Sequence, residues 1–104
     1  MNIQVSNVMQ ATIESLNDPM FYINKDNQIC RQAGPHELRF GQPNNIEGEP
    51  ISVGLYDMDD CGIVYWEYEG SIATTFNFTV ENLTRYINLV ITQCAAHYNN
   101  EIQF

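Results

Sequence analysis

Acidic residues and tyrosines interleave in the middle of the chain, and theirs is the most distinctive chemistry in the sequence. Between Arg39 and Arg85 there is no basic residue, whereas the same interval holds eight of the thirteen acids. Tyrosine rings supply rigid contact area and carboxylates attract cations, so this pattern favours a surface that binds a basic protein. We predict that the partner-binding site consists of Tyr56, Asp57, Asp59, Asp60, Tyr65, Glu67 and Glu69.

Other uses of the same residues compete with this interpretation. Tyrosines among carboxylates also suit a homodimer seam, or a site that holds an organic cation by cation–π contact. The plainest alternative is an acidic surface that serves solubility alone, with tyrosines in ordinary cross-strand packing. Salt separates docking by a charged face from binding in an enclosed pocket, because salt screens exposed charges far more strongly.

The overall charge excludes two classes of partner. A formal net charge of -9 leaves too few basic side chains to bind a nucleic acid backbone or an anionic membrane surface. No apolar run reaches the roughly 18 residues of a membrane helix, and the N-terminus lacks the pattern of a secretory signal. With an odd number of cysteines and no CxxC pair, the sequence predicts a single cytoplasmic domain over residues 1–104 with reduced thiols.

Evidence for catalysis or a metal is slight. The stretch 57–62 begins like a calcium loop, but its fifth position is Cys61 and the twelfth would be Tyr68, which excludes an EF-hand. The two histidines and three cysteines lack the spacing of a zinc site. A pair of His36 with Cys30 or Cys61 stays open, although the chain is short of the cations that activate a thiol. We therefore predict no metal, no cofactor and no enzymatic activity.

Hydrophobic periodicity predicts an α+β fold. A five-stranded, mostly antiparallel sheet would carry an N-terminal and a C-terminal helix on one face, in the order α–β–β–loop–β–β–β–α. The predicted elements are a helix over 5–17, a hairpin of Met20–Asn24 and Gln28–Gln32, strands over Pro50–Tyr56, Ile63–Tyr68 and Ser71–Val80, and a helix capped by Thr79 and ending near Asn99. Gly34–Pro50 is predicted to be an irregular connection with one helical turn after Pro35.

The alternation of the strands assigns their faces. Ile51, Val53 and Leu55 are predicted to face the core and Tyr56 the opposite side, where Tyr22 joins it if the first hairpin is in register. The sequence therefore favours a small acidic, non-enzymatic binding protein of the inhibitor, immunity or adaptor type. The alternative is a small-molecule module with a pocket for an organic cation between the sheet and the helices.

Overall fold

The computed structural model describes residues 3–43, 46–58, 62–63, 70–75 and 77–104. Its elements in chain order are α1 (Ile3–Leu16), β1 (Phe21–Ile23), β2 (Ile29–Ala33), β3 (His36–Gly41), β4 (Ser52–Asp57), β5 (Gly62–Ile63) and α2 (Val80–His97). Adjacent strands pair antiparallel in the order β1-β2-β3-β4-β5. The predicted α+β class with an antiparallel sheet and two helices is confirmed.

The first helix and the first hairpin form close to where the sequence predicts them. Asn17 adopts a left-handed conformation with a φ of 49°, which ends α1 just ahead of Pro19. In the turn between β1 and β2, the Asn24 side chain accepts hydrogen bonds from the backbone amides of Asp26 and Gln28. Asn27 has a φ of 60°, a conformation that asparagine tolerates better than most residues.

The stretch Gly34–Pro50, predicted to be an irregular connection, contains the strand β3, so that prediction was wrong. β3 pairs with β2 on one side and with β4 on the other, so it lies inside the sheet. Gly34 has a φ of 60°, which a primed hairpin turn requires at its first central position, and Pro35 then fixes the second. The chain therefore reverses directly from β2 into β3, and no helical turn follows Pro35.

The last predicted strand, Ser71–Val80, is also wrong in the residues that the structure describes. Ile72 forms an isolated antiparallel bridge with Ile51, with backbone N···O distances of 2.8 and 3.0 Å. Asn77 then takes a left-handed φ of 56°, which interrupts the extended backbone before α2 begins. Four strands, β1–β4, thus form the meander, and the two-residue β5 pairs with the end of β4. Most of the predicted strand Ile63–Tyr68 lies outside the described residues.

The C-terminal helix forms as its periodicity predicts. Thr79 is the N-cap, and its hydroxyl accepts a hydrogen bond of 3.1 Å from the Asn82 amide. The buried face of α2 consists of Leu83, Tyr86, Ile87, Val90 and Cys94, which recur at helical spacing.

One hydrophobic core holds these elements together. Side chains from α1, α2 and one face of the sheet are fully buried in it, among them Val5, Met9, Ile29, Leu38, Phe40, Ile51, Leu55, Leu83 and Ile87. Phe40 of β3 meets Tyr86 of α2 edge to face, with ring centroids 6.0 Å apart. Because strand side chains alternate, the residues between these core positions form the opposite side of the sheet. Among the helices that the structure describes, none has the length and apolarity needed to cross a membrane.

Candidate binding site on the polar face of the sheet

The side of the sheet opposite the core carries a cluster of polar side chains drawn from four strands. The register places Tyr22 of β1 beside Cys30 of β2, Cys30 beside Arg39 of β3, and Arg39 beside Gly54 of β4. Glu37 of β3 is paired with Tyr56 of β4 in the same way. We call this side the polar face, defined by Tyr22, Cys30, Glu37, Arg39, Gly54 and Tyr56.

Glu37 lies at the centre of the polar face and is fully buried. One of its carboxylate oxygens accepts a hydrogen bond from the Tyr22 hydroxyl, and the other accepts one of 2.8 Å from Arg39 Nε. A carboxylate without solvent needs this kind of partner, because an unpaired buried charge costs several kcal/mol. Tyr22 and Arg39 therefore stabilise the buried charge, and Glu37 in turn fixes both side chains.

Arg39 lies over an aromatic ring. Its guanidinium carbon is 4.3 Å from the centroid of the Tyr56 ring, which is cation–π geometry. The Tyr56 ring leans over Gly54, where an added Cβ would come within 3.1 Å of Tyr56 Cε2. Glycine at position 54 therefore lets the ring approach the backbone and support the guanidinium.

This stack limits what Tyr56 can do for a ligand. The guanidinium of Arg39 already occupies one face of its ring, so that face does not receive a second cation. Tyr22 keeps 37% of its surface exposed and is the more accessible tyrosine of the two that the structure describes on the polar face.

A cavity of about 510 Å³ opens beside this cluster. Its wall is formed by the β1–β2 turn, the end of β3 and the beginning of β4, through Asp26, Gln28, Arg39, Gly41, Gln42, Pro43, Ser52, Val53, Gly54 and Tyr56. The lining is mainly polar and contains one basic and one acidic side chain, Arg39 and Asp26. Its volume lies within the range of small-molecule sites.

Gln42 borders the cavity and is only 5% exposed. Its amide nitrogen donates to the Glu49 carbonyl at 2.9 Å and to the Thr74 hydroxyl at 3.4 Å. Its Oε1 has no hydrogen-bond partner among the residues that the structure describes. A buried acceptor in this condition raises the free energy of the folded state unless another donor reaches it.

The described thiols are poor candidates for a nucleophile. Burial is the main cause that raises the pKa of Cys30 to about 11, and the negative charge of Glu37 is the second. Burial alone raises the pKa of Cys94 to about 11. Both thiols therefore stay protonated at neutral pH. His36 pairs with Ala33, so their side chains lie on the same side of the sheet. Cys30 is three positions before Ala33 in β2, and alternation therefore puts it on the opposite side from His36. The Cys30–His36 pair that the sequence left open is thus ruled out.

These thiols predict a loss of stability at alkaline pH. Because the folded-state pKa values exceed the ordinary 9.0, the unfolded chain releases its thiol protons first as pH rises. The contribution of these thiols to the free energy of unfolding should be constant well below pH 9.0 and fall between pH 9.0 and 11, by roughly 2 to 3 kcal/mol per thiol. Urea denaturation at successive pH values measures this. A double Cys30→Ala/Cys94→Ala variant should show a clearly smaller fall, and an identical fall would contradict the assignment.

Two residues of the predicted partner-binding set lie in the described part of the chain, and the strand register places them on opposite sides of the sheet. Tyr56 lies on the polar face and Asp57 follows it at the end of β4, both half-buried. Asp59, Asp60, Tyr65, Glu67 and Glu69 lie outside the described residues. Sequence reasoning missed Glu37, Arg39 and Asp26, which were assigned to a loop or a turn. The alternation of charged and apolar residues from His36 to Gly41 is the signal that identifies the strand.

Among the residues that the structure describes, three arginines form ion pairs. Arg39 pairs with Glu37, Arg85 Nη2 lies 2.9 Å from Glu81, and Arg31 Nε lies 3.9 Å from Asp18. Each pair contains one acid and one arginine, so the three pairs together have no net charge. The other ten acids and the single lysine account for the net charge of -9. The acidic excess is therefore carried by residues outside these pairs.

No protein-family model, curated protein or solved structure matches the chain. The residues that the structure describes contain no group of three or more histidine, cysteine, aspartate or glutamate side chains placed to hold a metal ion.

Proposed function

We propose that the protein is a non-enzymatic binding protein that docks a basic protein partner on the polar face of its sheet. The observation that carries the proposal is the internal pairing of three arginines, which leaves ten acids against one lysine. An excess of one charge attracts a partner of the opposite sign and accelerates encounter. A natural role for such a protein is that of an inhibitor, immunity protein or adaptor.

The polar face supplies the contact area for this docking. Tyr22 is partly exposed, and Tyr56 and Asp57 lie at the end of β4 that leads into the acidic segment 57–69. Tyr22, Glu37 and Arg39 form a connected network across β1 and β3, so the tyrosine hydroxyl is held in place before binding. A surface ordered in advance loses less side-chain entropy on association.

The charge of the chain favours a different protein over a second copy as the partner. Two copies of net charge -9 repel one another, whereas a basic surface is attracted. The organic-cation alternative receives less support, because side chains such as Leu38, Leu55 and Ile87 fill the space between sheet and helices. The buried free thiols Cys30 and Cys94 fit a reducing compartment such as the cytoplasm.

Charge reversal on the acidic segment tests the proposal. The Asp60→Lys/Glu67→Lys variant should capture at most about a tenth of the amount of partner that the unmodified chain captures from the source cells. The reason is that the new lysines repel a basic partner surface. Quantitative mass spectrometry after affinity capture measures the ratio, and the captured partner should have a basic surface. Thermal unfolding of the variant should match that of the unmodified chain.

The matched control changes the net charge equally at sites away from the polar face. Glu14 of α1 and Glu101 after α2 are both exposed, so Glu14→Lys/Glu101→Lys adds four units of charge without touching the sheet. This control should retain most of the captured partner. If both variants lost the partner equally, net charge and not the acidic segment 57–69 would govern binding, and equal retention by both would contradict any electrostatic docking.

A further inference from the structure

We propose that the cavity on the polar face binds a small zwitterionic ligand of the amino-acid or short-peptide class. Arg39 would hold the carboxylate of this ligand and Asp26 its ammonium group. The cavity of about 510 Å³ accommodates a dipeptide, and a zwitterion has no net charge for the acidic chain to attract or repel. This inference is independent of docking by a basic protein.

The carboxylate side of the site is a supported arginine. Of the three guanidinium nitrogens of Arg39, it is Nε that donates a hydrogen bond to Glu37, whose side chain has no exposed surface. The guanidinium also lies on the Tyr56 ring, and Nη2 reaches Met58 Sδ at 3.5 Å. The arginine is therefore fixed from several sides, while a quarter of its side chain stays exposed beside the cavity. An arginine positioned in this way is well suited to bind a carboxylate.

The ammonium side is Asp26 in the β1–β2 turn. Its backbone amide is held by the Asn24 side chain at 3.0 Å, which fixes the position of the residue in the turn. Asp26 is exposed and lines the same cavity as Arg39, so the wall carries one charge of each sign. Opposite charges on one wall discriminate a zwitterion from a simple anion or cation, because each of those leaves one charge unmatched.

The floor of the cavity depends on small residues. Gly41 lies against Gln28, where an added Cβ would come within 2.8 Å of Gln28 Cγ, and Ser52 pairs with Gly41 across the strands. Gln42 follows Gly41 and also lines the cavity, although its side-chain amide is directed to Glu49 and Thr74.

Three dipeptides of nearly equal size test the inference. L-alanyl-L-alanine is a zwitterion, its N-acetyl derivative keeps only the carboxylate, and its C-terminal amide keeps only the ammonium. Amide chemical-shift titration of the full chain should show saturable binding of the zwitterion with shifts around Asp26, Arg39 and Ser52. Each blocked dipeptide should bind at least tenfold more weakly.

Two variants connect the binding to the cavity. Ser52→Phe fills the cavity and should abolish the titration, whereas Ser15→Phe on the exposed surface of α1 should leave it unchanged. Asp26→Asn should lower the affinity for the zwitterion to that of the unmodified chain for the N-acetyl derivative. Glu14→Gln should leave the affinity for the zwitterion unchanged. The inference is overturned if the zwitterion does not bind up to about 10 mM, a weak limit for a specific site. Equal binding of all three dipeptides, or a zwitterion that is insensitive to Ser52→Phe, overturns it as well.

Discussion

Replacing Glu37 with alanine should lower the free energy of unfolding by about 3 to 5 kcal/mol, since it leaves Arg39 without its buried partner. The substitution also removes the acceptor of the Tyr22 hydroxyl and opens a void on the polar face. Urea denaturation of the purified variant measures the loss. Tyr22→Phe, which removes one hydrogen bond to a charged group, should lose only about 1.5 to 3 kcal/mol.

An exposed ion pair in the same chain provides the control for Glu37. Glu81 and Arg85 are nearly as close as Glu37 and Arg39, 2.9 Å against 2.8 Å, but their side chains are 80% and 70% exposed. Glu81→Ala should therefore lose less than about 1 kcal/mol. The double variant Glu37→Met/Arg39→Met should be more stable than Glu37→Ala, because neither charge is left unpaired. A loss at Glu37 no larger than that at Glu81 would contradict the buried network.

Phe40→Ala should also destabilise the chain by about 3 to 5 kcal/mol, because Phe40 is fully buried in a central strand. Its ring meets Tyr86 of α2, so the substitution removes a contact between the sheet and the helix as well as apolar surface. Chemical denaturation measures this change. The result separates a strand over His36–Gly41 from an exposed loop, in which the same substitution would have little effect.

Ile46 provides the control for Phe40. It follows β3 in the same stretch of the chain and is 50% exposed, so Ile46→Ala should change the free energy of unfolding by no more than about 0.5 kcal/mol. Equal losses at the two positions would show that Phe40 is not in the core.

The helices and the first hairpin were predictable because local chemistry determines them. The Thr79 cap, the apolar stripe of α2 and the left-handed asparagines of the turns are all visible in the sequence. β3 was missed because Pro35 and charged neighbours resemble a loop. The charges at Glu37 and Arg39 interrupt the apolar pattern and, in the folded chain, satisfy each other on the face opposite the core. The alternation with Leu38 and Phe40 was nevertheless present.

The strand predicted over Ser71–Val80 failed for the opposite reason. Its alternation is regular, but Asn77 takes a left-handed backbone and Thr79 is used to cap α2. Thr79 keeps an extended backbone as the N-cap, so the predicted strand is ended by the left-handed Asn77 before this residue and by the helix that begins at Val80. β-Propensity is a weak guide where a helix begins within the same run.

The centre of the polar face could be predicted only in part. Alternation along β4 assigns Leu55 to the core and Tyr56 to the opposite side, as the structure shows. The contact of Tyr22 with Glu37 joins residues fifteen positions apart and depends on the register of three strands. No local pattern specifies this contact, so the buried carboxylate emerged only from the three-dimensional arrangement.

The most direct test of docking by the polar face is the association rate of the captured partner as a function of salt. For the unmodified chain, the rate constant should fall at least tenfold between about 50 mM and about 500 mM salt, because exposed charges are screened. The Asp60→Lys/Glu67→Lys variant should associate slowly at both concentrations, and Glu14→Lys/Glu101→Lys should retain most of the salt dependence. A rate that is independent of salt, or the same for both variants, would contradict the account.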